Sequence, residues 1–335
     1  MPRGRGPRAP DRETEVSFTF ATERFAIRGE FRIARGAKTV AEVLVATLER
    51  DGIIGRGESV PYARYGETPD EIARQIEAHR GLLDTLADRE TLREKMPAGA
   101  LRNAIDLALT EHAAKRRGIV SPRIEEVRSA LTLSLAEPDA MARAASTIAG
   151  TLLKLKLAGD GRDADRVRAV HEARPDAELW LDANEGLDVD RYRALVPLLG
   201  ELPIVLLEQP FPAKDDAILG ELPRPVPICA DESVHDRASL ASLADRYDAI
   251  NVKLDKTGGL TEARDVVREA QSLGLEVVIG CMVCTSLALA PAFVLAASAD
   301  FVDLDGALFL DADRAGGIVL EDGMIRAPDR SLWAG

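Results

Sequence analysis

The sequence predicts an α/β barrel of eight parallel strands that follows a smaller α+β domain. Eight short apolar runs recur through the second part of the chain, with starts about 20–27 residues apart. The longer gaps between them have the apolar spacing of helices, as in Asp163–Ala173, Arg237–Asp245 and Thr261–Leu273. Alternating strands and helices at this period are typical of parallel βαβ units, and eight strands in succession favour a closed barrel.

The eight runs are each a few residues long, and most end at a polar residue or a glycine. They are Leu131–Leu135, Leu152–Leu157, Leu179–Asp182, Ile204–Glu208, Val226–Asp231, Ala249–Lys253, Glu276–Gly280 and Phe301–Asp303. An open, doubly wound sheet is the alternative. The Gly-x-Gly-x-x-Gly turn that binds phosphates after the first strand of many such sheets is absent from the sequence.

The residues before the first run predict the smaller domain. Val16–Phe20 and Ala41–Glu49 have strand-like patterns, whereas Gly55, Gly57 and residues 59–66 indicate a loop. The apolar spacing then becomes helical.

The helical pattern extends over residues 68–117. Thr68 is a suitable N-cap, with Pro69 at the first helical position and Glu71 three residues after the cap. A small α+β unit is therefore expected before the barrel.

Composition and charge restrict the kinds of function. The net charge of −13, from 43 basic and 56 acidic residues, argues against binding of nucleic acid. No apolar run reaches the roughly 18 residues that a membrane helix needs. The Arg-, Pro- and Gly-rich residues 1–12 lack the apolar core of a signal peptide. Three cysteines without a secretory spacing favour a reducing cytoplasm.

Acidic residues stand at the carboxyl ends of three consecutive predicted strands: Asp182, Glu208 and Asp231. Active sites of such barrels lie at this edge, and neighbouring strands are only about 4.8 Å apart, so the three carboxylates should converge. Converging carboxylates repel one another unless a hard cation neutralises them, and oxygen ligands suit Mg²⁺. Each acid alone could instead cap the following helix; three in succession favour a metal site.

Lysines flank these acids on both sides. Lys154 and Lys156 share a face of the second predicted strand, and Lys253 ends the sixth. Solvated lysines on an edge strand are the alternative. Beside a metal-bound carboxylate, Lys156 and Lys253 could remove a proton from one face of a carbon and return it to the other. We expect Lys154 and the metal to lower the pKa of Lys156 below the ordinary value of about 10.4. Lys154 could also help to bind the anionic substrate.

These residues resemble the active site of the enolase superfamily, in its muconate-lactonizing subgroup. The three carboxylates match the metal ligands, Lys156 and Lys253 match the two acid/base lysines, and Lys154 matches the first lysine of the Lys-x-Lys pair. The resemblance implies a (β/α)7β barrel with a capping domain. The expected division of the chain is a disordered tail at 1–15, a capping domain at 16–122, the barrel at 126–305, and a segment at 306–335 that returns to the cap.

The eighth run indicates a narrower group. Asp303 and Asp305 resemble the pair with which dipeptide epimerases receive the α-ammonium group of the substrate. They share a face and could bind an ammonium through charge-assisted hydrogen bonds, although two strand-end caps are the alternative. Five further stretches resemble Ala-Glu epimerases: residues 33–36, 61–67, 97–104, 253–262 and 280–286.

Three other residues are candidates for contact with the substrate. Arg35, on a loop of the cap, could bind a side-chain carboxylate with its forked guanidinium, and Arg64 is a second candidate for this contact. Thr132, on the first barrel strand, could line the pocket. Solvated arginines and a packed barrel threonine are the alternatives.

The resemblance implies an isomerase that uses Mg²⁺ for 1,1-proton transfer at the α-carbon of the C-terminal residue of a dipeptide, with L-Ala-D/L-Glu from murein peptides as the favoured substrate. An o-succinylbenzoate synthase or a cycloisomerase would use the same metal and lysines without an ammonium site. A non-catalytic barrel that binds acidic ligands would show no metal dependence. The sequence leaves open the exact dipeptide, the lysine that serves each stereoisomer, and whether the chain forms a homo-oligomer.

Overall fold

The computed structural model describes residues 17–85 and 88–335. The predicted tail at residues 1–15 and the first residue of the predicted strand at 16–20 lie outside the described residues. Within the described ranges, no helix is both long and apolar enough to cross a membrane.

The first part of the described chain pairs a three-stranded antiparallel sheet with four helices. The strands, in sheet order, are β1 (Ser17–Ile33), β2 (Gly36–Arg50) and β3 (Ile53–Ser59). The helices are α1 (Pro69–Ala78), α2 (Arg80–Asp84), α3 (Arg89–Lys95) and α4 (Ala100–Arg117). The predicted start of α1 is observed, since Glu71 N donates to Thr68 Oγ1 at 3.2 Å and Pro69 is the first helical residue.

The prediction that Gly55 and Gly57 belong to a loop is wrong, because both lie within β3. Their lack of a side chain lets α4 pack directly on this strand. A Cβ at Gly55 would be 2.2 Å from Ala108 O, and one at Gly57 would be 2.1 Å from Ala104 O. The two glycines therefore mark a close strand–helix contact, and only residues 60–68 connect β3 to α1.

The barrel follows a short strand, β4 (Glu126–Val127). Its eight parallel strands are β5 (Leu131–Leu133), β6 (Leu152–Lys156), β7 (Glu178–Asp182), β8 (Ile204–Glu208), β9 (Ile228–Ala230), β10 (Ala249–Val252), β11 (Glu276–Gly280) and β12 (Phe301–Asp303). They lie side by side in chain order. Ala130 N donates to Val302 O at 2.8 Å, which brings the first and last strands together and closes the barrel.

Helices connect these strands and pack outside them. They are α5 (Pro138–Ala145), α6 (Asp163–Ala173), α7 (Val189–Glu201), α8 (Arg237–Leu240), α9 (Leu254–Thr257), α10 (Leu260–Ser272) and α11 (Ser286–Ala292). The predicted α/β barrel is confirmed. The fifth strand is shorter than the predicted Val226–Asp231 at both ends. Pro227 has no N–H to donate to a neighbouring strand, and Asp231 N donates to the side-chain Oε1 of Gln209. The helix predicted at Arg237–Asp245 ends at Leu240 and continues as turns.

The C-terminal residues form β13 (Val319–Glu321) and β14 (Met324–Arg326), and β14 pairs with β4. The last residues then reach the first part of the chain. Trp333 Nε1 donates to Arg56 O at 3.2 Å, and Ala334 N donates to Glu111 Oε1 at 3.1 Å. The exact limits of the domains stay a prediction.

Candidate active site

The pleat of the eight strands explains why polar residues gather at one end of the barrel. An apolar layer consists of Ala130, Leu152, Trp180, Leu206, Cys229, Ala249, Val278 and Phe301. Side chains two residues apart share a face of a strand, so the next inward layer toward the carboxyl ends is two residues further on. That layer consists of Thr132, Lys154, Asp182, Glu208, Asp231, Asn251, Gly280 and Asp303. A polar layer therefore lies directly above an apolar floor.

The predicted lysines and acids meet in this layer and in the next one, which contains Lys156 and Lys253. Lys156 Nζ lies 2.5 Å from Asp182 Oδ2, and Lys253 Nζ lies 2.7 Å from Asp231 Oδ2. Lys154 Nζ lies 2.6 Å from Glu208 Oε2 and 3.1 Å from Asp182 Oδ2. All six side chains are buried.

The two predicted acid/base lysines lie on opposite sides of the barrel mouth. Lys156 ends β6 and Lys253 directly follows β10, and the three intervening strands β7, β8 and β9 lead to the three acids. Four steps in an eight-stranded barrel are half of its circumference. The two ammonium groups therefore approach the mouth from opposing directions.

The sequence predicted that the three acids converge on one point, but in the structure they do not converge directly. Within residues 17–85 and 88–335, no three acidic, histidine or cysteine side chains are arranged as a metal-ligand set. Each predicted ligand instead contacts a lysine, because buried carboxylates attract the nearest cations.

The charge of this cluster nevertheless fits a hard divalent cation. Burial, and then the neighbouring Asp182 carboxylate, raise the pKa of Glu208 to about 7. Asp182 is also buried, but Lys156 and Lys154 outweigh that effect and lower its pKa to about 2. The acids thus offer closely spaced oxygen donors, and the lysines balance the negative charge of Glu208 only in part.

Adjacent carboxylates, rather than neighbouring positive charges, determine the pKa values of Lys154 and Lys253. Burial disfavours both ammonium groups, but adjacent carboxylates outweigh it and hold the pKa values of both lysines well above the ordinary value. The principal partner is Asp303 for Lys154 and Asp231 for Lys253. The prediction made for Lys156 stays a prediction.

Asp303 and Asp305 lie beside this cluster. Asp303 Oδ2 is 2.7 Å from Lys154 Nζ, while its buried Oδ1 has no hydrogen-bond partner among the described residues. Asp305 Oδ2 accepts a hydrogen bond from Thr132 N at 2.6 Å. Burial, and then Asp303, raise the pKa of Asp305 to about 7. The free oxygen of Asp303 is available to a cationic ligand.

A cavity of about 710 Å³ separates the cap from the barrel mouth. The predicted site residues that line it are Arg35, Thr132, Lys154, Lys156, Asp231, Lys253, Asp303 and Asp305. Asp182 and Glu208 are fully buried behind Lys154 and Lys156. The lysines, rather than those two acids, therefore face the space that a substrate would occupy.

The two candidate arginines differ in position. Arg35 lines the cavity but is already engaged: its Nη1 donates to Asn184 O at 2.5 Å, and its Nη2 donates to Glu232 Oε1 at 2.6 Å. Arg64 pairs with both oxygens of Glu185, at 2.7 and 2.9 Å, and does not contribute to the cavity wall. Of the two, Arg35 is the one placed to reach a ligand.

A family model described as "Enolase C-terminal domain-like" matches residues 139–331. The chain belongs to the enolase superfamily. One relative, the L-Ala-D/L-Glu epimerase of Escherichia coli (strain K12), is 44% identical over 87% of this chain and 93% of its own length. Another, the N-acetyl-D-glutamate racemase of a Pseudoalteromonas species, is 38% identical over 88% of this chain and 95% of its own.

Solved structures of other enolase-superfamily members are similar along almost the whole chain. An Agrobacterium tumefaciens member with homology to dipeptide epimerases, with bound sodium and L-Ala-L-Glu, is 44% identical with a TM-score of 0.90, covering 95% of this chain and 99% of its own. The dipeptide epimerase of Methylococcus capsulatus, complexed with Mg and L-Arg-D-Lys, is 30% identical with a TM-score of 0.85 and the same coverage. The predicted resemblance to dipeptide epimerases is confirmed.

Lys38 was missed by the sequence analysis of this enolase-superfamily chain. It lines the cavity, and its Nζ lies 4.7 Å from the centroid of the Tyr62 ring. Across residues 17–85 and 88–335, it has no carboxylate within 4.0 Å. A lysine on a long strand carries no sequence signal that would have identified it.

Two buried amides that hold the predicted ligands were also missed. Asn251 Nδ2 donates to Glu208 Oε1 at 2.8 Å. Gly280 leaves room for this amide, since a Cβ there would lie 2.3 Å from Asn251 Oδ1.

The second amide is Gln209. Gln209 Oε1 accepts hydrogen bonds from Asp231 N at 2.8 Å and from Ser233 N at 3.0 Å. A polar residue in an apolar run could have signalled Asn251, but its partner could not be read from the chain.

Proposed function

We propose that this enolase-superfamily protein is a Mg²⁺-dependent dipeptide epimerase that acts on L-Ala-D/L-Glu. The observation that carries the proposal is the placement of Lys156 and Lys253 on opposite sides of one cavity, with three buried acids between them. The named relatives support the same activity. Breakdown of murein peptides is the proposed context, and a reducing cytoplasm, supported by three free cysteines, is the proposed compartment.

The proposed reaction moves one proton at a time. Asp182, Glu208 and Asp231 would hold Mg²⁺, whose positive charge would stabilise the enediolate of the substrate's C-terminal carboxylate. One of Lys156 and Lys253, in its neutral form, removes the α-proton. The ammonium of the other delivers a proton to the opposite face, so the configuration at the α-carbon is inverted.

The ends of a dipeptide have complementary partners in the cavity. The α-ammonium would bind Asp303, whose Oδ1 is free, with Asp305 and Thr132 beside it. Arg35 and Lys38 are the cations proposed for the glutamate side chain. Lys38 is the less engaged of the two, since Arg35 is held by Glu232.

Deuterium incorporation tests this function directly. In D₂O with Mg²⁺, the protein should interconvert L-Ala-L-Glu and L-Ala-D-Glu and place deuterium at the glutamate α-carbon, as measured by ¹H NMR. EDTA should abolish the exchange and added Mg²⁺ should restore it. A panel with glutamate, glutamine or leucine at the C-terminus measures the preference for an acidic side chain. Absence of exchange from every dipeptide in the panel would refute the proposal.

Asp303→Asn should weaken recognition of the substrate's amino terminus. Because charge-assisted hydrogen bonds contribute about 1.5–3 kcal/mol, we expect kcat/KM for L-Ala-L-Glu to fall by roughly 10–100-fold, mainly through KM. N-acetyl-L-Ala-L-Glu has no ammonium and serves as the control substrate, whose low rate the substitution should not lower further. Equal losses for both substrates would exclude an ammonium site at Asp303.

N-Acetylglutamate is the discriminating alternative substrate, because one relative is a racemase of that compound. Like an o-succinylbenzoate synthase or a cycloisomerase, such an enzyme would not need an ammonium site. Turnover of N-acetylglutamate faster than that of L-Ala-L-Glu would therefore favour the racemase over the epimerase.

A further inference from the structure

Lys256 is a fourth lysine in the polar cluster, and the proposed proton transfer does not use it. It lies on α9, three residues after Lys253, which is the extended N-cap residue of that helix. Lys256 is only 2% exposed and does not line the cavity. Its ammonium therefore cannot reach a substrate directly.

All three N–H groups of this ammonium donate to groups in the barrel wall. Lys256 Nζ donates to Asp231 Oδ1 at 2.6 Å, to Asp231 O at 2.5 Å and to Asn251 O at 2.9 Å. An ammonium has three N–H groups, so each has a partner. Lys256 thus binds both the side chain and the backbone of one proposed metal ligand.

Each carboxylate oxygen of Asp231 therefore contacts a different lysine. Oδ1 faces Lys256 on the wall side, and Oδ2 lies 2.7 Å from Lys253 Nζ on the cavity side. Gln209 binds the backbone N–H of Asp231 as well. Few rotations remain open to an aspartate held at its N–H, its carbonyl and one carboxylate oxygen.

The same ammonium also links two of the proposed ligands. Its third partner is the carbonyl of Asn251, whose side chain donates to Glu208 Oε1 at 2.8 Å. Hydrogen bonds through Lys256 and Asn251 therefore connect Glu208, at the end of β8, with Asp231, which follows β9. Such supporting contacts fix the direction in which ligands present their oxygens.

We propose that Lys256 is a positioning residue that holds Asp231 in the orientation needed by the metal ion and by Lys253. This inference rests on the proposed function, because it requires that Asp231 bind Mg²⁺. It assigns Lys256 no proton transfer. Its effect comes from hydrogen bonds to Asp231 and Asn251.

Lys256→Met removes the ammonium while retaining most of the side-chain volume. We expect the dissociation constant for Mg²⁺, measured by isothermal titration calorimetry without substrate, to rise by roughly 10–100-fold, the usual effect of losing a partner of a metal ligand. If Lys256 acted only as a nearby positive charge, its removal would instead tighten Mg²⁺ binding. Unchanged or tighter binding would overturn the proposal.

A second readout separates positioning from a general loss of structure. At saturating Mg²⁺, deuterium exchange should fall more for the dipeptide isomer whose α-hydrogen faces Lys253 than for the isomer served by Lys156. A merely structural defect would lower both rates by the same factor, and that result would contradict the inference. If the methionine variant does not fold, Lys256→Gln retains two of the three N–H groups on a shorter side chain, and its dissociation constant for Mg²⁺ should still exceed that of the wild type.

Lys115→Met is the matched control. Lys115 Nζ lies 2.9 Å from the buried Glu111 and 2.9 Å from Ile54 O, which reproduces a lysine bound to a carboxylate and a carbonyl, but in the cap. Its Mg²⁺ affinity should equal that of the wild type. If the wild type neither binds Mg²⁺ nor exchanges deuterium, the proposed function fails. If the wild type does both and Lys256→Met behaves like it, only the role of Lys256 fails.

Discussion

Lys156→Ala and Lys253→Ala should each lower epimerisation of L-Ala-D/L-Glu by at least about 10³-fold in both directions, within the usual contribution of general acid–base catalysis. Inversion requires one lysine to take the proton and the other to return one, so neither can replace the other. The lysines approach the cavity from β6 and from the end of β10, on opposite sides of the barrel. Polarimetry or NMR of the dipeptide measures the conversion.

Exchange with solvent distinguishes this loss from unfolding. Each variant should still incorporate deuterium into the one stereoisomer whose α-hydrogen faces the remaining lysine, and the two variants should retain opposite stereoisomers. Lys156→Met and Lys253→Met keep the volume and should give the same pattern. Lys214→Ala, at an exposed lysine, is the activity control. Full epimerisation by either lysine variant would refute the two-base scheme.

The site was accessible from the sequence because its parts sit on a regular scaffold. Three strands, Ile204–Glu208, Glu276–Gly280 and Phe301–Asp303, have the predicted limits, as does the helix Asp163–Ala173. When strands are placed correctly, their carboxyl-terminal residues fall at one end of a parallel barrel. Adding two to the residue number of each member of the apolar layer gives the eight residues of the polar layer.

What the sequence did not reveal depends on contacts between distant elements. The sequence indicated no role for Lys256, because its partner Asp231 lies 25 residues away and follows a different strand. Gly55 and Gly57 suggested a loop, because glycine marks both turns and close packing, and α4 decides between them. The side chain of Arg35 reaches Glu232, 197 residues away, instead of projecting freely from a loop.

The charges around the three acids could not be read from residue types either. Lys154 was expected to act mainly on Lys156, but its ammonium also contacts Asp303 and Glu208. The resulting cluster balances several buried charges of both signs. Replacing one of its acids should therefore change cation binding more than it changes folding.

Glu208→Gln should weaken Mg²⁺ binding by more than about 100-fold. Loss of a residue that only hydrogen-bonds to a metal ligand already lowers metal affinity by about 10–100-fold, and Glu208 is a proposed ligand itself. Epimerisation should fall correspondingly, because the enediolate would lose its stabilising charge. The metal-free protein should nevertheless keep its Tm within a few degrees. Glutamine has the same shape and can still accept the Asn251 hydrogen bond, and it removes the repulsion from Asp182 that contributes to raising the pKa of Glu208. Loss of the contact with Lys154 opposes this gain.

Calorimetry with Mg²⁺ and thermal unfolding in EDTA separate the two effects. Glu178→Gln makes the same substitution at the amino end of β7, where Glu178 pairs with Arg128 and both side chains are exposed, and it should alter neither quantity. An unchanged Mg²⁺ affinity in Glu208→Gln would exclude Glu208 as a ligand. A large fall in Tm in EDTA would instead mean that Glu208 serves the fold through its pairing with Lys154, because the acid would then stabilise the barrel without any metal. The proposed role therefore requires weakened binding together with a preserved Tm.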